Sequence, residues 1–285
     1  MHVILPKKIW ILWLQGEADM PFVVRNCYSS WKKQNSAYEV TLLTENNISD
    51  FIDVDGRILN NPVITKQALS DIIRVLLLEK VGGVWVDATC FCTKPLDDWL
   101  PSAMTFDFYA FQKPGVDRLI SSWFLASVPK GALISAYKKK VMDYWLKSDI
   151  EVQFGGSSGV TDANNKSMQR LRNTDAMSWA FINRFHIEAY IKKTSPYFWF
   201  HYLFALVLHS DVKVKEAWFK QNSLSADIPH FLIFKGLNKL VTDDLNQYID
   251  SNSAPLYKLN WRVEEADLEY NCVLNYLFRT QSNEQ

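Results

Sequence analysis

Residues 70–89 read SDIIRVLLLEKVGGVWVDAT, and this stretch decides the fold. Its first part is a helix made almost wholly of Ile, Leu and Val, interrupted only by Asp71 and Arg74 near its start and by Glu79 and Lys80 at its end. Gly82 and Gly83 then turn the chain into Val84–Asp87, a short apolar run that reads as a buried strand. At ~1.5 Å per residue the helix climbs about 14 Å from Asp71 to Lys80. At ~3.3 Å per residue the strand runs back roughly 10 Å to Asp87. The double glycine folds strand against helix, so Asp71, Arg74 and Asp87 are expected at one sheet edge.

Asp71 and Arg74 stand at i and i+3 and share a helix face. Burying either charge alone would cost several kcal/mol, so they form a private ion pair or meet something polar, and both readings stay open. Asp87 is left over by the private pair. An acid at the carboxyl end of such a strand suits a metal or a ligand.

Working outward, the first hundred residues alternate between strand and helix patterns. KIWILWL (8–14) is a buried strand, FVVRNCYSSWKKQ (22–34) an amphipathic helix, YEVTLLT (38–44) a strand, KQALSDIIRVLLLEK (66–80) a helix and GVWVDA (83–88) a strand. Such alternation implies parallel strands joined by crossover helices in an α/β sheet, where ligands collect at the carboxyl ends of the strands. Farther on, strands are expected around DFYAFQK (107–113) and SSWFLAS (121–127), and a helix over 132–147. FGGSSGVTDANN (154–165) is polar and rich in Gly and Ser, suiting a mobile lid, a plain loop or a linker of the engineered type. YFWFHYLFALVL (197–208) has twelve residues, too few for the ~20 that span a bilayer. It is a buried aromatic helix or a segment resting on a membrane surface.

The 285 residues carry 31 basic and 31 acidic side chains and are 48% hydrophobic, an ordinary globular composition. A balanced charge argues against nucleic-acid binding, which needs a basic excess. Cys27, Cys90, Cys92 and Cys272 are too few for a disulfide framework in so long a chain, and Cys90 and Cys92 fall on one face of a strand. Reduced thiols in a cytoplasmic protein follow. The N-terminal MHVILPKKIWILWLQG, broken by Pro6, Lys7 and Lys8, reads as a strand and not as a signal peptide.

The pattern S-D-x-x-R-x-x-x-L-x-x-x-G-G-x-W-x-D-A-T resembles the core of DXD-type sugar-nucleotide transferases of the glycosyltransferase family 32 kind, closest to the branch of bacterial capsular polysaccharide synthesis proteins. LPKKIWILWLQG, CTKPLDDWL, SSWFLAS, YFWFHYLF, SADIPHFL and YKLNWR are similar to that branch as well. The resemblance implies a GT-A-like (Rossmann-like) α/β fold in a single domain over 1–285, with a helical insertion at about 150–194. It implies a retaining transferase moving a sugar from a nucleotide-sugar, a UDP-sugar foremost, with a divalent cation, Mn²⁺ or Mg²⁺. The acceptor would be a surface glycan or a lipid-linked oligosaccharide at the inner face of a bacterial membrane, reached by peripheral contact. A nucleotide-sugar hydrolase and a non-catalytic glycan- or nucleotide-binding module are the alternatives.

Carried over, Asp71 would contact the ribose and donor sugar, Arg74 the donor sugar or phosphate, and Asp87 the metal that bridges the diphosphate. Where a full DXD motif places its second Asp, this chain has Thr89, a weaker ligand for a hard cation. The ligand set would then be completed by Asp227 and His230 of SADIPHFL, with Lys258 of YKLNWR on the diphosphate. Trp10 and Trp13 lie where a uracil ring would stack, although core packing suits either equally. No nucleophile or base can be assigned from the sequence.

Overall fold

The computed structural model describes residues 4–115, 118–147, 153–154, 194–195 and 197–283. The expected helical insertion falls, apart from residues 153–154 and 194, outside the described residues, as does the Gly/Ser-rich stretch from residue 155 onward. The strands are β1 (Lys8–Leu12), β2 (Glu39–Leu43), β3 (Gly83–Asp87), β4 (Cys90–Cys92), β5 (Phe108–Gly115), β6 (Arg118–Ser127), β7 (Gln153–Phe154), β8 (Thr194–Ser195) and β9 (Leu256–Lys258). The helices are α1 (Phe22–Gln34), α2 (Gly56–Leu59), α3 (Lys66–Lys80), α4 (Leu100–Ala103), α5 (Ala132–Lys147), α6 (Trp199–Ser210), α7 (Val212–Lys220), α8 (Asp227–Lys235), α9 (Asp243–Asp250) and α10 (Val273–Asn283). They gather into two compact units, each assembled from separate stretches of chain. One comprises Met1–Pro6, Ser49–Gly83 and Met104–Ser225, the other Lys7–Ile48, Val84–Ala103 and Ala226–Gln285.

In the first unit α3 is the central helix. Thr65 caps it by accepting a hydrogen bond from the Ala68 N–H at 3.2 Å, satisfying one of the donors a helix start leaves open. Eight of its residues are buried, Arg74 among them, because it packs against α5 and β6. The helix ends where Gly82 adopts φ +75°, and a Cβ there would lie 2.6 Å from Pro129 Cδ and 2.8 Å from its nitrogen. Only glycine meets both demands.

β5 and β6 form an antiparallel pair with register shifts between Ala110 and Gln112 and between Gln112 and Gly115. α6 packs on β6 and α5, and Trp199, Phe200, Leu203, Phe204 and Val207 are sealed in this core. The hydroxyl of Tyr137 on α5 donates to the Phe200 carbonyl at 2.7 Å. The aromatic helix is therefore an interior helix, and its alternative reading as a membrane-surface segment fails because its rings already have an apolar place to go. Among the described residues no helix is long and apolar enough to cross a membrane.

The second unit contains the parallel strands. β1 lies between β2 and β3, with Ile9 opposite both Val40 and Val84, and Leu12 opposite both Leu43 and Asp87. Trp10, Trp31 and Trp85 are fully buried. At ~25 cal/mol per Å², the roughly 150–250 Å² that each such ring withdraws from water is worth about 4–6 kcal/mol. β4 pairs antiparallel with β9, Cys90 opposite Lys258 and Cys92 opposite Leu256. α1 is tied to β4 by polar contacts as well as packing: Trp31 Nε1 donates to the Cys90 carbonyl at 2.7 Å, and the Cys92 N–H donates to Ser30 Oγ at 2.8 Å. All four cysteines are buried thiols outside any disulfide, and burial pushes the Cys92 thiol up to about 12.

Candidate functional site

The carboxyl edge of the parallel strands in the second unit collects the chemistry. Asp87 is the last residue of β3. Its Oδ1 accepts from Trp85 Nε1 at 3.1 Å, and its Oδ2 stands 3.9 Å from Lys258 Nζ. Lys258 Nζ also donates to Thr89 Oγ1. The backbone fixes this meeting, since Lys258 lies opposite Cys90 in the β4–β9 ladder and the Leu259 N–H donates to the Thr89 carbonyl at 2.7 Å. Thr89 is buried, and the Lys258 and Asp87 side chains keep 19% and 29% of their surface exposed. The result is a half-buried carboxylate, hydroxyl and ammonium facing one another at the end of a parallel sheet.

An aromatic pair stands on the same edge. Trp13 follows β1 directly, and its ring lies 6.3 Å from that of Trp261 with an interplanar angle of 69°. Trp13 Nε1 donates to the Asp19 carbonyl at 3.2 Å, while Trp261 is 44% exposed and has the Arg262 guanidinium 5.6 Å from its ring centre. Neither Trp261 nor Arg262 was expected from the sequence. The available signal was the end of YKLNWR, an aromatic residue placed just past a strand that carries a candidate phosphate contact.

Trp10 requires a correction as a stacking residue. It is fully buried, because it sits mid-strand in β1 between two neighbouring strands, with Lys8 Nζ 5.6 Å from its ring centre. Core packing claims it. Trp13, three residues on and beyond the strand, keeps access.

The ligand set for a metal also changes. Among the described residues no group of three or more His, Cys, Asp or Glu side chains is arranged to hold a metal ion, so Asp87, Asp227 and His230 do not form the expected cluster. Asp227 is exposed in the first turn of α8, where its charge suits the helix N-terminus. His230, one turn on, is half-buried with its ring 5.8 Å from that of Phe234. What remains at the strand edge is one carboxylate and one hydroxyl, with an ammonium already on both. A hard divalent cation takes six or more oxygen ligands and favours carboxylates. This donor set fits such an ion poorly.

In the first unit Asp71 and Arg74 pair at 2.9 Å, their side chains 18% and 5% exposed. Arg74 is otherwise engaged inside the unit: Nη1 donates to the Ser122 carbonyl at 2.6 Å, Nη2 to Ser70 Oγ at 2.9 Å and Nε to the Ser70 carbonyl at 3.3 Å. Phe200 lies 5.6 Å beneath the guanidinium. Arg74 thereby anchors α3 to β6 and holds the Asp71 carboxylate in place, and Asp71 is the more accessible of the two. Deeper in the same unit His201 is held well below the usual imidazole range by burial, with Arg118 and Arg74 adding to the shift. It is a neutral core histidine.

Compared with known proteins, the family model described as capsular polysaccharide synthesis protein matches residues 2–155 and 164–277. The chain belongs to the capsular polysaccharide synthesis protein family. A curated relative of this family member, the O-glycosyltransferase braB of Annulohypoxylon truncatum, is 25% identical over 142 residues, which cover 42% of this chain and 33% of that protein. The chain thus spans about a third of the length of the curated relative it matches. Among solved structures, the PaToxG glycosyltransferase aligns over 75% of this chain and 78% of its own at 14% identity, with a TM-score of 0.35.

Proposed function

We propose that this capsular polysaccharide synthesis protein is a GT-A-like glycosyltransferase that moves a sugar from a nucleotide-sugar, a UDP-sugar foremost, to a surface-polysaccharide acceptor. The observation that carries the reading is the convergence of Asp87, Thr89 and Lys258 at the carboxyl edge of the parallel strands, where α/β folds bind ligands. The Trp13–Trp261 pair on the same edge supports it, since an open aromatic pair suits the flat face of a nucleobase or a sugar. Family membership and the name of the braB relative point the same way.

In the proposed reaction the bond from the sugar anomeric carbon to the diphosphate breaks, and its electron pair stays with the diphosphate oxygen. A bond from the acceptor hydroxyl oxygen to that carbon forms, and the hydroxyl proton passes to the departing diphosphate, the strongest base the step creates. A fixed positive group is most useful where that negative charge develops. Lys258 supplies one at the strand edge.

The test is a thermal-shift screen of nucleotide-sugars followed by a product assay with and without glycan acceptor. A ligand that binds only the folded state raises the melting temperature. Donor binding with acceptor-dependent product supports transfer. Free sugar released equally without acceptor would make the protein a hydrolase, and binding with no turnover would make it a recognition module, the reading favoured by Thr89 in place of a second acid.

A further inference from the structure

We propose that the Lys258 ammonium occupies the role a divalent cation plays in transferases whose motif carries two acids, so that this protein binds its donor diphosphate without metal. The inference rests on reading that edge as a nucleotide-sugar site. Three observations carry it. Lys258 Nζ donates to Thr89 Oγ1 and stands 3.9 Å from Asp87 Oδ2, so a cation already sits on the two side chains a metal would need. Its position is set by backbone pairing, through the Cys90–Lys258 register and the 2.7 Å bond from the Leu259 N–H to the Thr89 carbonyl, and not by a wandering surface chain. The third observation is the residue type at position 89.

Charge balance explains why that type matters. A divalent ion between two carboxylates sums to zero, and so does one ammonium between a carboxylate and a hydroxyl. Replacing the second acid by Thr89 and the metal by Lys258 therefore removes one negative and two positive charges and restores one positive, with Asp87 as its single counter-charge. An ammonium has three N–H donors. Thr89 takes one and Asp87 faces a second, which leaves the third for a phosphate oxygen. With its side chain only 19% exposed, the ammonium is partly stripped of water, which strengthens its attraction for an anion. A divalent ion entering the same space would have to displace it.

The deciding measurement is calorimetric binding of UDP to the whole protein, stripped with EDTA and again with saturating Mn²⁺. The expected wild-type dissociation constants agree within about threefold. In EDTA, Lys258→Met should weaken UDP binding roughly tenfold or more, the worth of one charge-assisted hydrogen bond, while Lys258→Arg keeps most of it. The double variant Thr89→Asp/Lys258→Met, which restores two acids and removes the ammonium, should bind poorly in EDTA and recover with Mn²⁺. UDP binding that strengthens more than about tenfold with Mn²⁺ in the wild type would overturn the proposal, as would a folded Lys258→Met protein that binds UDP normally in EDTA. If a variant fails to fold, the wild-type comparison still decides. Failure of every nucleoside diphosphate to bind the folded wild type under either condition would instead remove the nucleotide-sugar reading itself, and this inference with it.

Discussion

Asp87 shows how far a single residue could be read from the sequence. An acid closing a buried strand after a double glycine had few structural uses, and it does face the open edge of its sheet. Its partner was not legible, because Lys258 lies 171 positions away and reaches it through the β4–β9 ladder. Asp87→Asn keeps the size of the side chain and removes the charge opposite Lys258. Transfer is expected to fall on the order of 10²-fold with the circular-dichroism spectrum unchanged, and near-normal turnover by the folded variant would show that the edge is not the donor site. Arg74 teaches the reverse lesson. Its spacing from Asp71 announced a pair, but the bonds to Ser122 and Ser70 come from tertiary packing and make it an anchor. Arg74→Met alone leaves the Asp71 carboxylate without its cation and should cost about 3 kcal/mol in urea denaturation. Asp71→Asn/Arg74→Met should recover part of that loss, and equal destabilisation of the two proteins would mean that the ion pair carries none of it.

At the scale of elements, helix bounds were the most legible feature. The expected spans 22–34, 66–80 and 132–147 coincide with α1, α3 and α5, because helical periodicity and the glycine pair are local signals. The ties between elements were less visible. Trp31 reads as one apolar residue of α1, yet its indole N–H holds the Cys90 carbonyl of β4. Trp31→Phe keeps most of the ring and removes that buried hydrogen bond, so a loss of about 0.5–1.5 kcal/mol is expected by chemical denaturation. Asp97 sits in the turn after Pro95, and its carboxylate accepts from Tyr38 and Lys7. The Tyr38 hydroxyl first, then Lys7, hold Asp97 below the usual carboxylate range. A lowered value in the folded state means stability that is present above the unfolded pKa of about 3.9 and is lost as pH falls through the folded value. Asp97→Asn should therefore be less stable than wild type at neutral pH, with the gap closing as the pH falls below the unfolded value. A gap of constant size down to pH 2 would remove the carboxylate from the account.

For the molecule as a whole, the buried aromatic unit makes folding sensitive to acid. His201 is neutral when folded because burial holds its pKa well below the ordinary value, whereas in the unfolded chain it takes a proton near pH 6.5. Stability is then complete above that value and declines as pH falls, by about 1.4 kcal/mol per pH unit until the folded value is reached. His201→Phe should flatten the urea midpoint between pH 6.5 and 5, and an unaltered slope would place the acid sensitivity elsewhere. The sequence by itself determined the α/β class, the order of strands and helices and the strand end that carries an acid. These follow from periods of 3.6 and 2 and from glycine chemistry, which act between near neighbours in the chain. Tertiary structure alone decided that Trp10 is core while Trp13 finds Trp261, that Asp227 and His230 do not join Asp87 in a ligand cluster, and that a lysine stands on Asp87 and Thr89. Those outcomes depend on which distant strand pairs with which. Strand pairing is set by the burial of whole faces, and the local pattern around each residue carries no record of the partner it will meet.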